Sequence, residues 1–502
     1  MNAAPLRTYR FGPLDRSGLV LGLSGRQCTA LGAGVFLAGW LLDSHAPPPL
    51  LLAPLLIAVT LAFAKVGGDP VCEVVPVWVR FATRAVTRSN RWLAPIRYHR
   101  AGPTASPIVE LPPFMAGLTV IDAGPAPWTR PVRLAGVGVV VDRRTRTVSG
   151  TLRAHAGGFC LVDRAEQERL VAAWGDALAG FCREGGPVSS VRWTEWMAPT
   201  GVDGCEGFLA EHGTGTGDAV GDYRRLLAAA ASASTAHDVL ITVTVDQRRL
   251  GGRRHGAGDA HSAAVDALLE QLHLLTARLE GCGLTVDPPL SPAELADVIR
   301  RRFDPHGAVA VRRPESLAAA AGVTAAHRAT PLATDAAWSH LRVDGSAHRS
   351  FWVAEWPRLE APPNWIEPLL LHPGAVRTVS VVYEPVPPGQ SRRQVDREAT
   401  KLVSDEEQRV RSGFRIGARH RRQQEALAER EAELVAGYAE LCFAGFLTVS
   451  VPDPNQLDEA CAGYVQAAAQ AGLDLRRLDG RHDLGLLCAL PVGRGLATRR
   501  AG

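Results

Sequence analysis

Two long stretches without a charged side chain lie near the start of the chain, Gln27 to Leu42 and Ala46 to Ala64, parted only by Asp43, Ser44 and His45. A hydrocarbon core takes roughly 20 apolar residues per helix, so the second run suffices, and the first does once it borrows from Gly18 to Ser24. Arg26 then sits near the end of that span, where its side chain can reach the headgroups. The pairing predicts a transmembrane helical hairpin over residues 17–65, behind a short arm over residues 1–16. A signal peptide is disfavoured because the second run follows at once, and a buried soluble hairpin fits two such runs less well.

Flanking charge predicts orientation. Arg7, Arg10, Arg16 and Arg26 precede the first run, Lys65, Arg80, Arg84, Arg88, Arg91, Arg97 and Arg100 follow the second, and the intervening turn holds Asp43 and no Lys or Arg. The positive-inside rule then places both termini in the cytoplasm, with two spans in the cell membrane. Residues 66–131 read as a basic amphipathic juxtamembrane helix and a linker. Arg80, Arg84, Arg88 and Arg91 share one narrow helical face, and Trp78, Phe81 and Trp92 fall mostly away from it. Such a helix suits a headgroup layer, its arginines meeting anionic lipid and its aromatics the acyl chains; packing against its own domain accounts for the pattern equally well.

The remaining length exceeds one ordinary domain. Gly102 to Pro131 reads as an irregular connector, and then strand-like and helix-like patterns alternate: a hairpin from Val137 to Ala154, extended runs at Val188 to Trp196 and Val239 to Val245, and helices at Gln167 to Arg183, Asp222 to Ala236 and Ala263 to Leu279. A polar stretch near Pro305 to Ala333 divides a first α+β domain, 132–333, from a second, 334–502. The second repeats the theme with strands at Phe351 to Trp356, Val376 to Glu384 and Phe446 to Val451 and a helix at Leu457 to Ala471. The expected class is α+β with ferredoxin-like split units, and the order of His237 to Leu284 resembles that of Gly445 to Leu473, which suggests duplication. A charged helical pair lies between Gln394 and Glu440. Its mixed signs suit solvated faces, and Arg419, Arg422, Glu425 and Glu429 are the candidates for contact with a partner.

Chemistry is harder to find. All but two of the 55 basic residues are arginine, and neither Lys65 nor Lys401 lies in a Gly-Lys-Ser/Thr loop, so a P-loop ATPase is excluded. Net charge is only +4, which gives no global field for nucleic acid. Nine cysteines without a C-x-x-C pair are neither a disulfide framework nor a zinc ribbon. The Gly213–Asp218 run reads as a loop, His255, Asp259 and His261 as scattered loop residues, and Asp479, His482 and Asp483 as a triad on paper without a marked nucleophile. Trp352, Trp356 and Trp365 read as core rather than as an aromatic cage. No catalytic residue, cofactor or metal is expected, and the chain is read as no enzyme.

A family resemblance follows from particular blocks. The opening Arg7-Thr-Tyr-Arg-Phe-Gly-Pro-Leu-Asp-Arg16, with the glycine- and leucine-rich entry into the hairpin, resembles the PrgI-type membrane proteins of actinobacterial conjugative or type IV secretion loci. The blocks Phe351–Arg358, Arg377–Pro388, Glu431–Gly437, Ala444–Asp453 and Leu490–Gly495 are similar to that family and to the N-terminal, non-ATPase domain of TraC/TrbE-type conjugation ATPases. The resemblance implies a membrane-anchored scaffold that docks a separately encoded ATPase and other secretion subunits, with self-association left open and no direct contact with nucleic acid. It transfers no active site. An EccE-like component of type VII secretion is the alternative, and a membrane-tethered enzyme with an unrecognised site a further one.

Overall fold

The computed structural model describes residues 23–44, 47–66, 69–95, 111–125, 128, 136–155, 158–199, 208–209, 211–213, 217–231, 234–250, 257–307, 329–411 and 418–496. The chain begins with two helices packed as a hairpin, α1 (Gly25–Asp43) and α2 (Pro48–Phe63). A two-strand clip, β1 (Lys65–Val66) with β2 (Asp69–Pro70), leads into α3 (Val71–Val86) and β3 (Arg91–Leu93).

The expected transmembrane hairpin over 17–65 is overturned here. α1 has 19 residues and α2 has 16, which at 1.5 Å per residue gives about 28 and about 24 Å, short of a hydrocarbon core of about 30 Å. No described helix is long and apolar enough to cross a membrane. The second uncharged run is shortened by its own prolines, since α2 starts only at Pro48, with Pro47 as its N-cap, and ends at Phe63.

The rest of the chain is α+β, built on one antiparallel sheet of 13 strands. The first half contributes β4 (Leu118–Asp122), β5 (Gly138–Asp142), β6 (Thr147–His155), α4 (Arg164–Ala179), β7 (Val188–Pro199), α5 (Asp218–Ala231), β8 (Thr235–Asp246), α6 (Ala257–Gly281), β9 (Thr285–Val286) and α7 (Pro292–Phe303). The second half contributes β10 (Ala333–Ala336), β11 (Leu341–Val343), β12 (Ser346–Glu355), α8 (Glu367–Leu370), β13 (Val376–Val386), α9 (Pro388–Arg411), α10 (Ala418–Val435), β14 (Glu440–Val451), α11 (Leu457–Gln470), β15 (Asp474–Arg477) and α12 (His482–Cys488).

The strand order is β3-β10-β11-β12-β14-β13-β7-β8-β6-β5-β4, with β15 beside β12 and β9 beside β6. Each half therefore has the same order read outwards from the middle: β7-β8-β6-β5-β4 with β9, and β13-β14-β12-β11-β10 with β15. Within each, a strand, a crossover helix and a parallel strand are split by a third strand inserted between them. The halves join where β7 pairs with β13, Val191 to Met197 against Tyr383 to Arg377. β4 and β3, at the two edges, come from the stretch expected to be juxtamembrane linker. Leu118-Thr-Val-Ile-Asp122 is too short an alternation to stand out between Pro/Gly-rich flanks.

One face of the sheet is covered by α4 and α6 in the first half and by α8 and α11 in the second. In α6, Leu268, Leu272, Leu275 and Leu279 recur at helical spacing and are wholly buried. Gly150 of β6 makes room for them, since a Cβ there would lie 2.7 Å from Leu272 Cδ1. The opposite face carries α7 and α12 on a shared core that also gathers Leu118 of β4, Val140 of β5 and Leu341 and Val343 of β11. The sheet thus bends until strands near both its ends meet one cluster. On this face the inward residues include hydroxyl pairs repeated in the two halves: Ser149–Thr244 at 3.1 Å and Thr151–Thr242 at 3.0 Å, then Ser350–Thr448 at 2.9 Å.

The chain leaving each of these two helices crosses to the other half. After α7, Asp304 accepts from Ser346 Oγ at 2.7 Å and His306 lies 3.1 Å from the Ser450 carbonyl. After α12, Arg494 grips Asp142, its Nε 2.6 Å from Oδ2, and donates to the carbonyls of Phe114 and Ala116. Burial alone would raise the Asp142 carboxyl, but the hydrogen bonds and charge of Arg494, with Thr145, hold it below the ordinary carboxylate value. A depressed folded-state value means this stabilisation is present above the unfolded pKa and is lost as pH falls through the folded one, that is, below about pH 4. Asp142→Ala leaves the Arg494 guanidinium buried without its carboxylate and is expected to cost about 3–5 kcal/mol, measured by urea unfolding at pH 7. The difference from the unmodified chain should shrink below pH 4.

Candidate functional site

The surface that departs most from an ordinary domain is the N-terminal platform. Ser24 opens α1 with a capping box, its N–H donating to Gln27 Oε1 at 2.7 Å and its hydroxyl accepting from Gln27 N. The same Gln27 side chain donates to the Ala62 carbonyl of α2 at 2.7 Å and so fixes the pairing of the two helices. Between them the contact is made by small residues. A Cβ at Gly34 would fall 2.3 Å from Ala58 Cβ and 3.1 Å from the Pro54 carbonyl, and Ala38, Ala58 and Ala62 are buried with it.

The large apolar residues point the other way. Phe36 is 78% exposed and Ala62 0%, and Trp40, Leu42, Leu52, Leu56 and Ile57 lie on the outside with Phe36. A helix pair in water normally buries its large residues and exposes its polar ones; here small residues meet small and the bulky ones are left outward. Arg26 at the start of α1, Lys65 after the end of α2, Arg80 of α3 and Arg88 in the turn after it are exposed.

α3 fastens the platform to the sheet. Trp78 and Phe81 meet the Trp338 ring edge-on at 5.8 and 5.3 Å, and Arg84 Nη1 donates to Asp483 Oδ2 of α12 at 2.9 Å. Gly480 lies under the Trp338 ring, where a Cβ would be 2.6 Å from Cζ3. The four arginines read as one face are therefore divided. Arg84 turns inward, Arg91 in β3 pairs with Asp335 at 3.1 Å, and Arg80 and Arg88 stay exposed. Arg88 is the turn residue after the helix, with φ 54°, and Trp92 lies half-buried in β3 opposite Thr334. Spacing alone could not separate Arg84 from its neighbours, because its partner lies 399 positions away.

The charged pair α9 and α10 is fastened near its base by Arg430, which reaches Glu398 at 2.8 Å and Glu440 at 2.5 Å. Arg422, Glu425 and Glu429 are exposed along α10, and the side chain of Arg419 lies outside the described residues. α10 has no acidic residue in its first turn and no basic residue in its last. Arg421 and Arg422 near its start and Glu431 and Glu433 near its end oppose the helix dipole.

The three residues of the triad on paper have the following partners. His482 is buried, its Nδ1 accepts from the Ser350 backbone N–H at 3.1 Å, and its Nε2 faces Asp479 at 3.6 Å, while Asp483 serves Arg84. Burial lowers its pKa. Ser350 Oγ is engaged with Thr448 rather than with the imidazole. His255 and part of the Gly213–Asp218 run lie outside the described residues, as does the side chain of Asp259. No group of three His, Cys, Asp or Glu with metal-site geometry occurs among the described residues. Trp352 is core, and the half-buried Trp356 and Trp365 pack against the core and meet edge-on at 6.0 Å, Trp365 also lining an open groove.

The buried histidine that sequence reasoning missed is His348. Its Nε2 donates to the Phe303 carbonyl at 2.8 Å and its Nδ1 accepts from Ser450 Oγ at 2.8 Å, which ties α7 to β12 and β14. Burial lowers its pKa to about 4. No family model matches the chain, and no curated protein matches it.

Two outcomes follow. His348 should be neutral when folded, so stability is full above its unfolded pKa of about 6.5 and falls as pH drops towards about 4, by roughly 3 kcal/mol at most. His348→Gln should flatten the unfolding free energy across that window, with His482 and His340, both also lowered, supplying what slope remains. Arg84→Ala strands the Asp483 carboxylate and should cost about 2–3 kcal/mol by urea unfolding, with faster amide exchange in α3.

Proposed function

We propose that this chain is a non-catalytic scaffold of a bacterial type IV secretion or conjugative DNA transfer apparatus, held at the cytoplasmic face of the cell membrane and docking a separately encoded ATPase. The observation that carries the reading is the inverted burial of α1 and α2, with small residues inside and Phe36, Trp40, Leu56 and Ile57 outside. A surface of this kind lies in the interfacial layer, its apolar side chains at the acyl boundary and its cations among anionic headgroups. The exposed cations Arg26, Lys65, Arg80 and Arg88 of the same N-terminal segment favour anionic lipid as the layer it meets.

The sequence blocks similar to PrgI-type proteins and to the non-ATPase domain of TraC/TrbE-type ATPases supply the secretion part of the reading. Three of them form β13, β14 and the end of β12, strands of the central sheet. The mixed charges exposed on α10, including Arg422, Glu425 and Glu429, support reading it as the arm that meets a protein partner.

Two measurements separate the parts of the proposal. The purified chain should float with phosphatidylglycerol vesicles and far less with phosphatidylcholine. Arg80→Glu with Arg88→Glu should weaken the first by roughly tenfold or more, and Phe36→Gln with Leu56→Gln should abolish it. Co-purification from host membranes with mass-spectrometric identification should recover a P-loop ATPase and other secretion subunits, and recovery of type VII components instead would reassign the apparatus.

A further inference from the structure

The connection from β12 to α8 and the end of α11 enclose an open groove of about 710 Å³. Its walls are Pro357, Leu359, Pro362, Pro368, Leu371 and Ala471, and Trp365 lies among them. The volume falls within the range of small-ligand and peptide sites, and the prolines fix the backbone before anything binds.

Trp365 is held from behind. Its ring meets Trp356 edge-on at 6.0 Å, and Trp356 meets Phe443 in turn at 4.9 Å. The polar lining is Glu360, Asn364, Glu367, His372 and Gln470, and none of the lining residues is Arg or Lys. Asn364 donates to Glu367 Oε2 at 2.8 Å, which orients that carboxylate. His372 packs against Tyr464 at 5.0 Å, and burial together with Arg377 lowers its pKa, so it adds no positive charge at neutral pH. The Cys160 thiol also hydrogen-bonds to Glu367, and its pKa is pushed up first by burial and then by Glu367 and Glu195.

We propose that this groove binds an extended peptide segment of a partner protein through an arginine side chain, with the guanidinium against Trp365 and Glu367 and neighbouring apolar side chains against Leu359 and Leu371. A planar guanidinium satisfies both features, stacking on an indole face while donating to a carboxylate, and an ammonium satisfies them less well. An anionic ligand meets two carboxylates, Glu360 and Glu367, which a guanidinium complements. The inference stands apart from the secretion reading, since it rests on the groove alone.

The test uses the purified full chain and an acetylated pentapeptide library whose central residue is fixed as Arg, Lys, citrulline or Glu, with flanks drawn from Leu, Val and Pro. Arginine peptides should be retained best, lysine peptides less, and citrulline and glutamate peptides at least about tenfold less. For the best arginine peptide, Glu367→Gln and Trp365→Leu should each weaken binding by about tenfold, and added salt should weaken it further. Glu367→Gln leaves the apolar core untouched, and its unchanged thermal midpoint shows that the fold survives. Equal retention of arginine and citrulline peptides, no saturable binding at millimolar peptide, or full affinity in Glu367→Gln would overturn the proposal.

Discussion

Everything in the body of this protein depends on the pairing of β7 with β13. Those strands run antiparallel from Val191–Tyr383 to Met197–Arg377, and they turn two halves of like topology into one sheet. Without that ladder each half would end in an open central edge, exposing unpaired amides and carbonyls. The seam also sets where everything else must go. Helices α6 and α11 cover one face on either side of it, while α7 and α12 share the core on the other.

Buried arginines close the assembly. Arg192 on β7 is fully buried and donates to the carbonyls of Leu487 at 3.0 Å, Leu490 at 2.9 Å and Arg494 at 3.0 Å. Arg302 at the end of α7 donates to the Ala489 carbonyl at 2.9 Å and approaches Asp238. Desolvation lowers the pKa of both, the measure of what burial costs a cation. The cost is offset because a guanidinium can satisfy several carbonyls that a segment without regular structure would otherwise leave unpaired. Arg192 thereby ties the end of the second half to the first, and the interlock makes separate unfolding of the halves costly. The N-terminal platform joins this body through α3, by Trp338 and Asp483, so its outward apolar surface is presented on a fixed base.

Much of the α+β pattern was legible because its signals are local. The Val137–Ala154 hairpin announced itself by two β-branched runs around a polar turn, and the leucines of α6 by their spacing. The twofold repeat is visible in the sequence as well. Ile241-Thr-Val-Thr-Val-Asp246 in β8 and Leu447-Thr-Val-Ser-Val451 in β14 place hydroxyls at matching positions, and both sets pair across strands on the same face. The groove was less legible, because Trp365 gains its neighbours from Gln470 to Gly472, about a hundred residues later in the chain.

By itself the sequence determined the alternation of strands and helices, the absence of a P-loop and the apolar character of the first helices. Those are properties of residue type and short-range spacing. Only the tertiary structure decided that α1 and α2 fall short of a span, that Arg84 turns inward to Asp483 while Arg80 and Arg88 face out, and that Glu367 and Trp365 line one cavity. Each depends on where a helix stops or on a partner far along the chain, and neither is carried by the local pattern that periodicity reads.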